Sequence, residues 1–356
     1  GYIGHNVGVG LITAQGASLE LTDVVVLHTQ PLPGDGTGGR GMNVESQSQV
    51  TLRRGRFAFN HSGGVVVFNS GTDVTLEDVS VTDTQPQAGN MFFGRGIDIS
   101  DGAVVFVTRG VIERNHSTGV LVSTGSNLAL TDVSIVDTMP EPLSMQFGRG
   151  LGVQGAQVVY ERGLVHRSHE AGIFVALEQS ELVLVDVSVT DTQPTANKMS
   201  GGRGLDVTRG ARIDWTRGVL SGNHEVGMLI KGLGTTADLR EIVVSDTRAA
   251  PCDARGACEG FLGSAIMVES GAEMTLSVFD LTSNSLAGLQ FLSPGQIRAS
   301  DGVVHANIIG VNIQNSDLNV ADAFENVLTF DNQRNRDFSD LPVPESAEVL
   351  GAINEQ

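Results

Sequence analysis

A repeat of about 54 residues constrains the fold of this chain more than any other feature. The tripeptide Gly-Arg-Gly recurs with its arginine at positions 40, 95, 149 and 203, in steps of 55, 54 and 54 residues. An Asn-His pair (60–61, 115–116 and 223–224, with Ser-His at 168–169) and an Asp-Thr-x-Pro motif (83–86, 137–140 and 191–194) recur in the same phase. Three markers in one phase predict a repeat architecture in which each copy packs against the next.

Within each copy, apolar residues alternate with variable residues over short stretches. Val105 and Val107 flank Phe106, and the positions equivalent to the two valines are apolar in every copy. The middle position changes character between copies, as expected of a residue that faces solvent. The pattern predicts short strands whose alternate side chains fill a common core. The predicted inward residues include Val50, Leu52, Val65, Val67, Val105, Val107, Val120, Val122, Val158, Tyr160, Ile173, Val175, Ile213, Trp215, Met228 and Ile230.

One copy holds about six strands of three to five residues, which suits two turns of a triangular coil better than one flat layer. Successive turns then stack, with equivalent residues about 4.8 Å apart. We expect about 11–13 coils in residues 1–331 and a C-terminal cap or tail in residues 332–356, because the open end of such a stack exposes strand edges. The extra residues between Asp-Thr-x-Pro and Gly-Arg-Gly predict loops that form a ridge.

With these motifs the chain resembles the right-handed parallel β-helix repeat proteins of the pectin-lyase-like superfamily. In particular it looks like the uncharacterised bacterial surface proteins and lipoproteins with Gly-Arg-Gly and Asp-Thr-x-Pro repeats, over about residues 4–320. The resemblance implies an all-β, right-handed parallel β-helix solenoid. It leaves the activity open, because this fold carries lyases, hydrolases, epimerases, phage spikes and adhesins.

Charge and cysteine content limit the partners and the compartment. The net charge of −19 argues against nucleic acid, whose phosphates require a basic surface. No apolar run is long enough to span a membrane. Cys252 and Cys258 are separated by five residues in a Pro/Gly/Ala-rich loop and predict a disulfide, with two free thiols as the alternative. A disulfide indicates a secreted or cell-surface protein, associated with the outer membrane, or a periplasmic one.

The first residues correspond to the middle of a repeat. Residues 4–12 match residues 114–121, so we expect the fragment to begin inside a coil and any targeting segment to lie upstream.

Two charged ladders are the first candidates for binding. The arginines Arg40, Arg95, Arg149 and Arg203 form a predicted exposed ladder that suits carboxylates or sugar acids. The alternative is that these arginines pair with the Asp ladder formed by Asp83, Asp137 and Asp191 and pin the loops. The Asp ladder also leaves calcium as an alternative to the absence of any cofactor, although the calcium-binding glycine-rich nonapeptide is missing.

The histidine ladder is expected to be structural. Copies two turns apart would lie about 10 Å from one another, too far to share a metal ion at bond lengths of about 2 Å. We therefore predict no metal site from His61, His116, His169 and His224.

An apolar row is the second kind of candidate. In the strand after the Asn-His turn, the outward position is apolar in successive copies, and such a patch usually marks an interaction. We expect this row to be covered by a second copy of the chain, by another protein or by the C-terminal tail. The tail is the favoured of these three. The row comprises Ile12, Val66, Leu121, Phe174 and Leu229.

No catalytic residues are predicted, because polar residues that recur equally in all copies serve architecture better than a single active site. The sequence therefore favours a non-catalytic, secreted or cell-surface scaffold or binding module of the adhesin type, and leaves open whether it is an enzyme. Its partner would be a protein or a glycan at the surface, or another copy of the chain. The alternative is a polysaccharide lyase or hydrolase, which would need an unrepeated cluster of two carboxylates, or a carboxylate and an arginine, in one groove.

Overall fold

Two compact units make up the computed structural model, which describes residues 1–195, 200–251, 262–314, 318–344 and 347–350. The first unit comprises Gly1–Ser168 with Val349–Gln356, and the second comprises His169–Glu348. In each unit the chain passes alternately between a sheet of long strands and a sheet of short strands, and the strands within each sheet are parallel.

The strands of the first unit fall into these two sheets. The long-strand sheet consists of β1 (Tyr2–Gly4), β3 (Ser18–Leu27), β5 (Gln49–Ala58), β7 (Asp73–Thr82), β9 (Val104–Glu113), β11 (Asn127–Val136) and β13 (Gln157–His166). The short-strand sheet consists of β2 (Val9–Thr13), β4 (Arg40–Val44), β6 (Gly63–Phe68), β8 (Arg95–Ser100), β10 (Thr118–Ser123) and β12 (Arg149–Gln154).

The second unit repeats the arrangement. Its long strands are β15 (Glu181–Thr190), β17 (Arg212–Ser221), β19 (Thr236–Ser245), β21 (Glu273–Thr282), β23 (Gln296–His305) and β25 (Phe324–Phe330). Its short strands are β14 (Ala171–Ala176), β16 (Arg203–Thr208), β18 (Val226–Lys231), β20 (Ser264–Glu269), β22 (Ala287–Leu292), β24 (Ile309–Gln314) and β26 (Arg334–Asp337). One short helix, α1 (Val320–Ala323), precedes β25.

Equivalent residues of successive coils lie opposite one another, as the repeat predicts. Val105 pairs with Val74 of the preceding long strand and with Leu128 of the following one. Because this register keeps like residues in line, the predicted all-β parallel solenoid is confirmed, and the six or seven strands in each sheet of each unit agree with the predicted number of coils.

Each long strand bends in the middle, which corrects the predicted count of three strands per coil. The sixth residue has a positive φ, 54° at Asp78 and 55° at Arg109. The parallel pairing omits these two residues and resumes beyond them, with Val79 opposite Gly110. One ten-residue strand with a corner therefore does the work of two predicted strands.

The core follows the predicted alternation. Val105 and Val107 are at most 1 % exposed, and Trp215 and Tyr160 are also inside. The other predicted inward residues are buried as well. Such burial is the main stabilising contribution of the fold, since each large apolar side chain removed from water contributes about 1.5–3 kcal/mol.

The structure requires glycine at both glycine positions of the Gly-Arg-Gly motif. Gly94 has a φ of 89°, a conformation that other residues resist. A Cβ on Gly96 would lie 2.5 Å from the carbonyl oxygen of Gly119 in the next coil. In the first unit the loops that precede this motif also touch one another, since Gly89 N donates to Gly36 O at 3.2 Å. This contact agrees with the predicted ridge of loops.

The C-terminal tail leaves the coils after β26. This last paired strand extends beyond the predicted boundary at residue 331, because β26 still pairs with β24. Near this end α1 and Phe324 line a small cavity with Val311 and Ile313. The described residues that follow β26 contact the short-strand sheet.

Candidate functional site

The Gly-Arg-Gly arginines are buried beside the short strands. Their exposed fractions are 7 % for Arg40, 1 % for Arg95, 0 % for Arg149 and 5 % for Arg203. The predicted exposed ladder is therefore wrong, and these side chains do not offer an open array to an anionic ligand.

Two of these arginines pair with nearby carboxylates. The carboxylates belong to the same coil as the arginine or to the next coil. Arg95 Nη1 donates to Asp98 Oδ2 at 2.7 Å. In the second unit Arg203 donates to Asp206 at 2.6 Å and to Glu225 at 2.5 Å. Charges this deeply buried need such partners.

The Asp ladder binds other arginines. Asp83 accepts two hydrogen bonds from Arg114, at 2.7 and 2.9 Å, and Asp137 accepts two from Arg167, at 2.5 and 2.7 Å. These hydrogen bonds hold the pKa of Asp83 and of Asp137 below the usual range. In the second unit Asp191 lies 3.9 Å from Arg248. The prediction that this ladder neutralises Arg95 and Arg203 is therefore wrong.

A third ladder, at the bends of the long strands, was missed by the sequence analysis. In the first unit the bend residue alternates between aspartate and arginine from coil to coil, and the side chains pair in the order Asp23–Arg54, Asp78–Arg109 and Asp132–Arg162. The arginines lower the pKa of these aspartates by hydrogen bonding. The alternation of charge at a fixed position in each coil was the available signal.

The Asn-His turns are structural, as expected. Asn115 Oδ1 accepts from Thr84 N at 3.0 Å, while its Nδ2 donates to Val81 O at 2.9 Å. His116 Nδ1 lies 2.9 Å from Thr84 O, and since a carbonyl only accepts, this nitrogen carries the proton. Burial lowers the pKa of His116. The same contacts recur at Asn60-His61 and Asn223-His224.

The predicted apolar row is mostly covered. Ile12 is 58 % exposed, but the other four members are at most 3 % exposed: Val66, Leu121, Phe174 and Leu229. Only Ile12 therefore agrees with the prediction of an open apolar patch, and for the other four residues that prediction is wrong.

The C-terminal tail lies on the short-strand sheet of both units. In the second unit three side chains bind its carbonyl oxygens: Asn312 donates to Ser339, Gln290 to Pro342 and Lys231 to Pro344. Leu341 packs against Leu286, Ala287 and Ile309. In the first unit Leu350 exchanges two hydrogen bonds with the side chain of Gln154, at 2.7 and 3.2 Å. The sequence analysis favoured the C-terminal tail as the cover of this face, and the described residues of the tail do contact it.

One open depression of about 440 Å³ on the long-strand sheet of the second unit departs from the repeat, and we call it the polar concavity. Asp214 and Asp238 are opposite one another in β17 and β19, so their Cα atoms lie about 4.8 Å apart. Arg212 pairs with Asp214 at 3.2 Å. Further along the depression lie the exposed side chains of Glu273 and Arg298.

The polar concavity brings carboxylates and arginines together in one unrepeated groove, which the alternative enzyme function requires. Asp238, Glu273 and Arg298 are exposed to solvent. Catalysis by carboxyl groups uses an acid kept neutral by burial and a site that excludes water. This groove provides polar groups for binding but does not shield them from water.

Metal ligands do not converge in the described parts of the chain. Among those residues no three His, Cys, Asp or Glu side chains are placed to hold a metal ion. The calcium alternative has no support at Asp83 and Asp137, whose carboxylates bind arginine.

Cys252 and Cys258, with the predicted disulfide, lie outside the described residues. Within the described ranges, no helix combines the length and hydrophobicity that crossing a bilayer requires.

Comparison with known proteins identifies the family. A family model described as "Right handed beta helix region" matches residues 40–238, more than half of the chain. The chain belongs to the right-handed β-helix family. The right-handed parallel β-helix that the resemblance implied is thus confirmed. No curated protein matches this chain.

Solved structures similar to this β-helix include enzymes and a phage protein. A mutant of the periplasmic alginate epimerase AlgG has a TM-score of 0.50 at 10 % identity, over 91 % of this chain and 78 % of that chain. Pectate lyase Pel9A has a TM-score of 0.37 at 14 % identity, over 86 % and 70 %. The Dettilon tailspike protein has a TM-score of 0.41 at 13 % identity, over 90 % and 61 %. At these identities the likeness concerns the fold alone.

Proposed function

We propose that this β-helix is a non-catalytic binding module of a secreted or cell-surface protein. Its binding face is the outer side of the long-strand sheet in the second unit. The observation that carries the proposal is where the sequence departs from its own repeat. The recurring Asn-His turns and many of the recurring ionic side chains serve the fold, whereas the polar concavity is unrepeated and open to solvent.

The arrangement of charges in the polar concavity favours binding over catalysis. Thr236, Thr275 and Gln296 line it together with Asp238 and Arg298, so donors and acceptors of hydrogen bonds alternate across a shallow surface. Such a surface suits a glycan or a polar protein segment. Solvent reaches Asp238 and Arg298, so neither is a sheltered acid or base for bond cleavage.

The proposed location is extracellular or periplasmic, in association with the cell surface or outer membrane. The predicted Cys252–Cys258 disulfide supports it, because disulfides persist in oxidising compartments. The acidic surface supports solubility there.

The alternative function is a polysaccharide lyase or hydrolase, and Asp214 beside Asp238 is the observation that favours it. A panel of neutral, amino and uronic polysaccharides separates the two functions, with release of reducing ends and absorbance of unsaturated products as readouts. We expect no turnover on any of them. Turnover that Asp238→Asn abolishes would contradict the binding proposal.

Binding itself is tested with immobilised glycans and cell-surface extracts, comparing Glu273→Gln with Asp73→Asn. Both residues are exposed and occupy the first position of a long strand, but only Glu273 lines the polar concavity. Binding through this face predicts a loss for Glu273→Gln alone. Equal behaviour of the two variants would place the binding face elsewhere.

A further inference from the structure

A second depression on the long-strand sheet of the second unit is lined mainly by apolar side chains, and we call it the apolar concavity. It holds about 490 Å³. Val243, Val278 and Leu328 line it and are 37 %, 46 % and 62 % exposed. Exposed apolar surface gathered in a concavity usually marks an interaction site.

The apolar concavity arises where the chain departs from its repeat. The eighth residue of the long strands points outward. In the first unit it varies, with Ser80 in β7 and Ser134 in β11 and with Val25, Arg56, Val111 and Leu164 in the other ten-residue strands. In the second unit this row runs Val219, Val243, Asp280, Val303 and Leu328 from β17 onward, opposite one another in successive strands. Serine is thus compatible with the fold at this position. Val278 departs from the repeat more clearly, because it stands at a bend position that is aspartate or arginine throughout the first unit.

Three carboxylates surround the apolar floor. Glu241, Asp280 and Asp301 line the concavity, and no lysine or arginine is among the described residues that line it. Beside it, Arg240 pairs with Glu241 at 3.3 Å, which leaves Asp280 and Asp301 as the carboxylates without an arginine partner in an ion pair among the described residues. His305 Nε2 lies 3.1 Å from Asp280 Oδ1, and Asn326 Nδ2 donates a hydrogen bond to Asp301 Oδ1 at 3.2 Å. An apolar floor with an acidic rim is complementary to a segment that carries both apolar and basic side chains.

A partner protein fits this surface better than the chain itself does. A second copy carries a net charge of −19 and would bring like charges to the acidic rim. The described part of the tail already lies on the short-strand sheet, through the contacts of Ser339, Pro342 and Pro344.

We propose that the apolar concavity binds a basic amphipathic helix of a partner protein. The row crosses the outer face of β17, β19, β21, β23 and β25, of which only β25, the last strand of the sheet, has a free edge. A segment that covers the whole row therefore lies across the strands and does not extend the sheet. The row extends one strand beyond the concavity to Val219, and from Val219 to Leu328 it covers four strand spacings, about 19 Å. A helix of about 13 residues has this length. The inference deepens the proposed binding function, on which it rests, by naming a class of partner.

The probe is a fluorescent, helix-forming peptide of about 14 residues composed of leucine and lysine, titrated against the full chain with anisotropy as the readout. A leucine–glutamate peptide of the same pattern is the charge control. We expect the lysine peptide to bind and the glutamate peptide not to bind. Equal binding of both peptides, or binding of neither, would overturn the proposal.

Two variants locate the site. Val243→Ser introduces the residue that other coils carry at this position, so the fold is retained, and we expect it to weaken binding about tenfold because apolar contact is lost. Val111→Ser, the same change at the same strand position in the first unit, should leave the affinity unchanged. Equal effects of the two changes would refute the site.

The failures of the two proposals are distinguishable. Glycan binding that requires Glu273, together with no peptide binding, would keep the proposed function and reject the helix partner. Turnover of a polysaccharide would reject the proposed function, whatever the peptide does. A dimer of the chain that Val243→Ser dissociates would make a second copy the occupant and overturn the assignment to a partner protein.

Discussion

Removal of the Arg95 side chain should strongly destabilise the first unit. Arg95 and Asp98 are each 2 % exposed at the side chain, and Nη1 and Oδ2 are 2.7 Å apart. Arg95→Ala leaves the carboxylate of Asp98 buried without its cation. Breaking a buried ion pair in this way costs about 3–5 kcal/mol of the free energy of unfolding.

An exposed pair in the same unit provides the contrast. Arg54 and Asp23 are 57 % and 65 % exposed at the side chain, although their hydrogen bond is equally short at 2.7 Å. Water already solvates both charges, so Arg54→Ala should change the free energy of unfolding little. Burial, and not the length of the hydrogen bond, sets the difference between the two variants.

Urea unfolding followed by circular dichroism measures both variants. A double variant, Arg95→Met with Asp98→Leu, should regain most of the lost stability, because apolar residues of similar size often replace a buried pair without loss. Leucine is already present opposite Asp98, at Leu121. If Arg95→Ala and Arg54→Ala lowered stability equally, the argument from burial would be refuted.

Three further perturbations test the core, the turns and the response to acid. Val107→Asp should prevent folding, because it places an unpaired charge in the core, and proteolysis would detect it. Asn115→Ala should cost about 2–5 kcal/mol in urea unfolding by leaving two buried backbone groups unpaired, whereas exposed Asn127→Ala should be neutral. Stability should fall below about pH 6.5, because burial lowers the pKa of His116 and only the unfolded chain then gains the proton. A second loss should follow below about pH 4 as Asp83, whose pKa Arg114 lowers, becomes protonated. A melting temperature independent of pH between 7 and 5 would contradict the first of these two losses.

The repeat was sufficient to predict the architecture because it reports on stacking directly. The inward positions of Val105 and Val107 followed from alternation alone, and glycine at 96 followed from phase. The number of strands per coil did not follow, since the positive φ at Asp78 joins two short strands into one bent strand without any change in hydrophobic pattern.

The environment of charged residues was harder to predict than their positions. Arg95 was recognised as a member of a repeated ladder, yet it was expected to be exposed. A period-two pattern distinguishes two faces of a strand but does not show what covers the outer one. Contacts over long sequence separations decide that question. Leu350, for example, reaches Gln154 across 196 residues.

The alternating bend ladder has a consequence for how arrays of this kind change length. If the single coil that carries Arg109 were deleted, Asp78 would face Asp132, and like charges directly opposite one another are unfavourable. Deletion of two coils restores the alternation. The smallest unit that evolution or an engineer can duplicate or excise cleanly is therefore a pair of coils, which matches the length of the motif period and makes the charge pattern a rule for recombination.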